Sequence, residues 1–166
     1  DEPAVLISAG ADGTRKSRLT EEEHVTSLAA TAGSTVIDVV LVFDTTAQTW
    51  VNNNGGATAF ANAAISKMNV ALANSGIDCT YRLVHVLSTG HTYSGNFSTD
   101  LKALSEGTGQ LAAVPGARNT YGADIVSMMV DTGSPYNQTG LGHQPVDASG
   151  WDKAAFSVCS VRAVHI

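Results

Sequence analysis

The chain has 166 residues, 43% of them hydrophobic and 14% charged, which is typical of a globular domain rather than of a disordered segment. This length supports one domain with a sizeable core and is short for two. Nine basic residues against fifteen acidic ones give a net charge of −6, which argues against nucleic acid and anionic membranes as partners. No apolar run approaches the roughly 20 residues that a membrane-spanning helix needs.

The N-terminal segment differs from the rest of the chain. A basic stretch at Thr14–Arg18 and an acidic one at Glu21–Glu23 precede a run of small residues that ends at Gly33–Ser34. We interpret residues 1–34 as a linker or the tail of a propeptide, and residues 35–166 as the folded domain.

The first predicted elements are a strand, a turn-rich segment, a helix and a second strand. Val36–Phe43 is a nearly continuous run of apolar residues, typical of a strand buried on both faces. Asp44–Gly56 is rich in turn-forming residues. Apolar residues at helical spacing, with Met68 among them, predict a helix at residues 57–74, and alternation predicts a strand at 78–87.

The second half continues the alternation of helices and strands. After a loop, Ser98 or Thr99 is predicted to cap a short helix whose Leu101 and Leu104 face the core. The remaining predicted elements are a helical piece at 111–121 with Pro115 in its first turn, a buried strand at 125–130, a polar loop at 131–142 and a last strand at 154–164. Such alternation predicts an α/β fold, with a mainly parallel, twisted sheet of about five strands and helices on both faces.

The cysteines and histidines indicate no metal site. Cys79 and Cys159 lie in apolar strand-like segments and are interpreted as buried free thiols, with a disulfide as the alternative in an oxidising compartment. His85 would share a strand face with Tyr81, Leu83 and Leu87, so we expect a hydrogen-bonded core histidine. None of the five histidines has local zinc-ligand spacing, and no metal is assigned.

Four blocks of sequence carry a resemblance to a known family. They are Val36–Val42, then Ala71–Ile77 leading into Arg82–Val86, then Tyr121–Val130, and lastly Gly140–Gly142 followed by Ala155–Val158. Together, and in this order, they resemble the catalytic domain of the bacterial reprolysin-like metalloendopeptidases of the metzincin clan. The resemblance implies a secreted enzyme that hydrolyses peptide bonds with water activated by zinc.

The resemblance also implies a substrate-binding edge. In the family an antiparallel edge strand pairs with the extended substrate, and the matching residues here are Gly140, Leu141, Gly142 and His143. An open sheet edge offers main-chain hydrogen bonds to a peptide, and glycines allow its backbone to approach closely. An ordinary glycine-rich loop is the alternative for this segment.

The zinc helix of the family has no counterpart in this sequence. Its motif H-E-x-x-H-x-x-G-x-x-H supplies the metal ligands and the general base, whereas no His-x-x-x-His pair occurs in these 166 residues. We therefore expect a truncated catalytic domain with no catalytic residues and no zinc, inactive alone. Because the zinc helix packs under the sheet in the family, we also expect an uncovered apolar sheet face that favours self-association.

A second interpretation is a non-catalytic binding module. Asp44 and Asp131 each follow a buried strand, where open α/β sheets place their ligands. With Thr46 they match part of the magnesium site of von Willebrand factor A-like domains. Gln48 stands where that site has a hydroxyl, and an amide is a poor ligand there for a hard cation.

Overall fold

The computed structural model describes residues 35–133, 139–144 and 155–163, all within one compact unit, Thr35–Ile166. Its elements in chain order are β1 (Thr35–Phe43), α1 (Thr45–Asn52), α2 (Ala57–Asn74), β2 (Cys79–Ser88), α3 (Phe97–Glu106), a 3-10 turn (Gly109–Leu111), α4 (Val114–Tyr121), β3 (Ile125–Val130), β4 (Gly140–Gly142), β5 (Phe156–Ser160) and a second 3-10 turn (Val161–Ala163). The interpretation of residues 1–34 lies outside the described residues. Among the described helices, none is long and apolar enough to cross a membrane.

Five strands form one sheet in the order β2-β1-β3-β5-β4. The pairs β1–β2, β1–β3 and β3–β5 are parallel, whereas β4 runs antiparallel to β5. This confirms the predicted α/β fold, with a mainly parallel sheet and an antiparallel edge strand. The outer sides of β2 and β4 are the two edges of the sheet in the described part of the chain.

The face of the sheet that packs against α1 and α2 is called here the α2 face. Its buried apolar residues are Val39, Leu41, Phe43, Ala47, Val51, Phe60, Ala61, Ala64, Ile65, Met129 and Val161. The bounds of α2 match the predicted helix, but Met68, predicted in its buried stripe, is 43% exposed. The helix therefore covers only part of this face of the sheet.

Helix α1 departs from the prediction that Asp44–Gly56 is rich in turns. Its sequence has modest helix propensity, so the burial of Ala47 and Val51 against the sheet is what favours the helix. The turn itself is confined to the residues after Asn52, where Gly55 and Gly56 adopt φ values of 98° and 93°.

The opposite face packs against α3 and α4 and is called the α3 face. Its buried core consists of Val40, Val42, Phe97, Leu101, Leu104, Leu111, Val114, Ala123, Val126, Met128, Val130, Phe156 and Val158. The two predicted inward leucines of α3 and the proline in the first turn of α4 are confirmed. The predicted cap of α3 was wrong by two or three residues, because the side chain of Asn96 accepts hydrogen bonds from the N–H groups of Ser98 and Thr99.

The predicted grouping of His85 with Tyr81 and Leu83 on one strand face is wrong because β2 contains a bulge, whereas Leu87 does share its face. The register pairs Val39 with Leu83, but the next residue, Val40, pairs with His85, so β2 has one extra residue at this point. The extra residue moves His85 to the α3 face. There its ring stacks on Tyr121, with centroids 4.0 Å apart and planes 10° from parallel. His85 is thus half-buried and stacked rather than enclosed in the core.

The two cysteines are free, which confirms that part of the prediction, and both are half-buried. Cys79 begins β2 and Cys159 lies in β5, three strands away across the sheet. At about 4.8 Å between neighbouring strands their separation is roughly 14 Å. A disulfide requires Cα atoms within about 7 Å of each other, so this fold does not allow one.

Candidate functional site

Strand β4 forms one edge of the sheet, and its main-chain groups alternate in direction. The N–H of His143 donates to the carbonyl oxygen of Phe156 at 3.1 Å, so the main chain of His143 faces β5. By the two-residue period of the ladder, Leu141 also faces β5. The N–H and C=O groups of Gly140 and Gly142 therefore point to the outer edge, which no other described strand occupies, and where a peptide could accept and donate hydrogen bonds.

The side chains of β4 divide between the two faces of the sheet. Leu141 pairs with Val158, whose side chain belongs to the core of the α3 face. Directly opposite residues share a face, so Leu141 also lies on the α3 face, where it is 38% exposed. Gly140 and Gly142 fall on the α2 face and leave that side of the edge without side chains.

Close packing against β5, in addition to the approach of a peptide, favours glycine at position 140. A Cβ atom at Gly140 would lie 2.9 Å from the carbonyl oxygen of Val158 and 3.0 Å from Sγ of Cys159, closer than real Cβ contacts. A Cβ at Gly142 would meet nothing nearer than 3.6 Å. Glycine is therefore required by the fold at position 140, whereas position 142 has room for a small side chain.

The fourth predicted residue of the edge, His143, is exposed. Its Nε2 lies 3.3 Å from the hydroxyl of Ser105 in α3. The side chains of His143 and Leu141 are thus both directed to the α3 side of β4, away from the glycine side.

An apolar groove of about 410 Å³ opens on the α2 face beside helix α2. Its lining residues are Ala64, Ile65, Lys67 and Met68 from α2, and Val39, Leu41, Tyr81, Ile125, Ser127, Met129, Ser157 and Cys159 from the sheet. The exposed Met68 is accounted for by its place on the wall of this groove. The groove therefore lies next to the helix, over β1, β3 and β5.

Three polar side chains on the groove floor bind one another. The hydroxyl of Ser157 donates to that of Ser127 at 2.9 Å, and Ser127 lies 3.9 Å from the thiol of Cys159. Burial raises the pKa of the Cys159 thiol, so it stays protonated at neutral pH. The floor thus contains no ionised nucleophile, and it reaches the open edge because Ser157 and Cys159 pair directly with the two glycines of β4.

Asp44, one of the three residues in the alternative metal site, is a fully buried helix cap. Its carboxylate accepts hydrogen bonds from the N–H groups of Ala47 and Tyr93, each at 2.7 Å. The hydroxyl of Thr46 donates to both of its oxygens, at 2.7 and 2.9 Å. These bonds join the end of β1, the start of α1 and the loop before α3.

The other two residues of that site are close to Asp44 and are also bonded within the protein. The N–H of Asp131 donates to the hydroxyl of Thr46 at 2.9 Å, and Nη2 of Arg162 lies 2.9 Å from the Asp131 carboxylate. The Arg162 hydrogen bonds hold the pKa of Asp131 below its usual value. Among the described residues, no group of three or more His, Cys, Asp or Glu side chains could hold a metal ion. The magnesium site stays a prediction.

The hydrogen-bonded pair of His91 and Asp100 has no signal in the sequence that could have identified it. Nε2 of His91 lies 2.9 Å from the carboxylate of the fully buried Asp100. The other carboxylate oxygen accepts the N–H of Ser94 at 3.1 Å. The pair fastens the loop between β2 and α3, and only the folded chain brings its members together. His24 and His165 lie outside the described residues.

The fold and the site together describe an α/β domain with an antiparallel edge strand and an apolar groove on one face of its sheet. Two curated proteins are similar to this chain in sequence, and both are called peptidyl-Asp metalloendopeptidase. The protein from Xanthomonas campestris is 29% identical over 112 residues, and that from Stenotrophomonas maltophilia is 27% identical over 115 residues. These matches cover 67% and 68% of this chain but only 27% of each relative. They support a metallopeptidase family as the origin of the chain.

Two further comparisons concern the fold. No family model matches the sequence. A solved structure of a chaperone–substrate complex aligns with a TM-score of 0.61 and 14% identity, over 76% of this chain and 23% of that one. At this identity the likeness establishes the shared fold alone.

Proposed function

We propose that this chain is part of a secreted, zinc-dependent metalloendopeptidase of the metzincin clan, in which β4 binds the peptide substrate. The observation that carries the proposal is the open edge of β4. There the outward N–H and C=O groups of Gly140 and Gly142 lie beside an apolar groove on the same face of the sheet. The two metalloendopeptidase relatives give the proposal its reaction class.

The edge suits a peptide for a physical reason. An extended chain that adds to a sheet gains one main-chain hydrogen bond for each outward group it meets. Because both outward residues are glycines, no side chain stands between the peptide and the α2 face. A peptide held in this way runs along the sheet, with alternate side chains directed to the groove side.

Among the described residues no group of three or more His, Cys, Asp or Glu side chains could hold zinc, and we propose that they take no part in the chemistry at the metal. In the intact enzyme zinc would supply the activated water, held by residues that this sequence does not contain. The contribution of this chain is to bind and orient the substrate. We therefore propose that the 166-residue chain alone does not cleave peptides.

The groove is proposed as the seat of the zinc-bearing helix in the intact enzyme. Its walls are apolar, and Lys67 is the one charged side chain among the described residues that line it. A helix with an apolar stripe would bury lining residues that α2 leaves exposed or half-buried, such as Met68 and Ile125. Without that helix the groove is a candidate for self-association, because apolar patches of this kind tend to be covered.

A chimera tests the proposed activity. Residues 35–163 would replace the matching segment of the Xanthomonas campestris relative, and cleavage of an unstructured protein and of Asp-containing peptides would be measured. We expect cleavage that a metal chelator abolishes, and no cleavage by the 166-residue chain alone. A folded, zinc-loaded chimera without activity would contradict the proposal.

The role of β4 is tested separately with Gly142→Pro in the chimera. Proline removes the outward N–H but leaves the hydrogen bonds between β4 and β5 in place. Losing one such bond, worth about 0.5–1.5 kcal/mol, should lower kcat/KM by roughly twofold to tenfold. Gly142→Ala keeps the N–H and is the matched control. Equal kcat/KM values for the two variants would exclude substrate pairing at this edge.

A further inference from the structure

The opposite edge of the sheet belongs to β2, a strand of ten residues. Beyond the bulge, the N–H of Thr89 donates to the carbonyl oxygen of Phe43 at 2.9 Å, so alternate residues back to His85 direct their main-chain groups to β1. Before the bulge the alternation is reversed, and Tyr81 and Leu83 direct theirs outward. A long edge with outward N–H and C=O groups is a template for pairing with another strand.

Helix α2 covers the first of these outward residues with one side chain. The N–H of Tyr81 donates to Oδ1 of Asn69 at 2.7 Å, and Nδ2 of Asn69 donates to the carbonyl oxygen of Tyr81 at 2.9 Å. The amide thus offers one acceptor and one donor to a single residue, as the backbone of a neighbouring strand would. Both outward groups of Tyr81 are satisfied without a sixth strand.

The position of this contact determines its effect. The bulge interrupts the edge directly after Leu83, because an extra residue breaks the regular spacing of outward groups. The regular part of the edge is therefore short and is centred on Tyr81. Because Asn69 bonds the main-chain groups of Tyr81, these groups are not available for pairing with another strand in the middle of the regular stretch before the bulge.

We infer that Asn69 closes the outer edge of β2 against strand pairing with a second copy of this chain. A second copy is the natural partner, since two β2 edges related by a two-fold axis would offer each other the same outward groups in antiparallel pairing. With Asn69 in place, pairing would have to break two hydrogen bonds before it formed new ones. The inference is independent of the proposed peptidase function.

The variant Asn69→Ala tests the inference, and Asn62→Ala, an exposed asparagine of the same helix, is the matched control. Molar mass would be measured by light scattering over a range of protein concentrations. We expect a larger dimer fraction for Asn69→Ala than for the wild type, and no change for the control. Hydrogen exchange would then show the Tyr81 and Leu83 amides protected in the dimer. Protection at these amides distinguishes edge pairing from association through the groove.

Hydrogen exchange on the wild-type monomer gives a test that does not depend on how the variant folds. The Tyr81 amide, bonded to Asn69, should exchange more slowly than the outward amide of Leu83. Equal exchange of the two amides would overturn the inference. So would a monomeric Asn69→Ala protein, or an Asn69→Ala dimer in which the β2 amides stay unprotected.

Discussion

Replacing Asp44 with alanine would remove the carboxylate that joins three segments of the fold. The residue is fully buried, caps α1 through the N–H of Ala47 and accepts the N–H of Tyr93, both at 2.7 Å. Loss of a helix cap costs about 1 kcal/mol, and an orphaned, partly buried N–H costs about 1–3 kcal/mol. The free energy of unfolding should therefore fall by about 2–4 kcal/mol.

Urea unfolding followed by circular dichroism measures this loss. For a domain of this size the free energy of unfolding falls by about 2 kcal/mol per molar urea, so the midpoint should drop by roughly 1–2 M. Asp78→Ala removes an exposed carboxylate and is the control, with an expected change near zero. Equal midpoints for the two variants would refute the structural role of Asp44.

The same assay tests the alternative metal site. Because the Asp44 carboxylate is already bonded to protein donors, excess Mg²⁺ should leave the wild-type midpoint unchanged. A ligand that binds only the folded state raises the midpoint. A rise with Mg²⁺ that Asp44→Ala abolishes would therefore support the von Willebrand factor A-like interpretation.

Three further predictions concern the sheet and its C-terminal end. Gly140→Ala should lower the free energy of unfolding by about 1–3 kcal/mol relative to Gly142→Ala in urea titrations, because only at Gly140 would the new methyl group collide with β5. Arg162→Met should lower the free energy of unfolding slightly at pH 7, since the pair is partly exposed and screened by solvent. Because the pKa of Asp131 is lowered in the folded protein, the ion pair contributes fully to stability above a pH of about 4. This contribution should disappear as the pH falls through the pKa of Asp131 in the folded protein. If Arg162→Met lost the same free energy of unfolding at pH 7 and at pH 2, that result would contradict the prediction. Because burial raises the pKa of the Cys159 thiol, this thiol should stay unmodified by a thiol reagent at neutral pH until denaturant is added. Mass spectrometry of the peptide that contains Cys159 would measure the modification. Rapid labelling of the folded protein would refute this prediction.

The sequence by itself determined the class of fold and the main elements. Val36–Phe43 and Ile125–Val130 have the continuous apolar character of strands buried on both faces, and helix α2 has a stripe at helical spacing. These are local patterns, set by whether each residue meets core or solvent, and they can be read from one segment at a time. The resemblance added the antiparallel edge at Gly140–Gly142, which composition alone does not indicate.

The tertiary structure decided everything that depends on contacts between distant segments. Helix α1 forms in a segment of weak helix propensity because Val51 gains burial against the sheet. One extra residue in β2 reverses the strand faces beyond it, and that extra residue is apparent only from the pairing of β2 with β1. Asp44 and Asp100 bind partners up to 49 residues away, so their roles as buried acceptors are absent from any local pattern. The groove has the same origin, because the packing of α2 over only part of the sheet leaves it open.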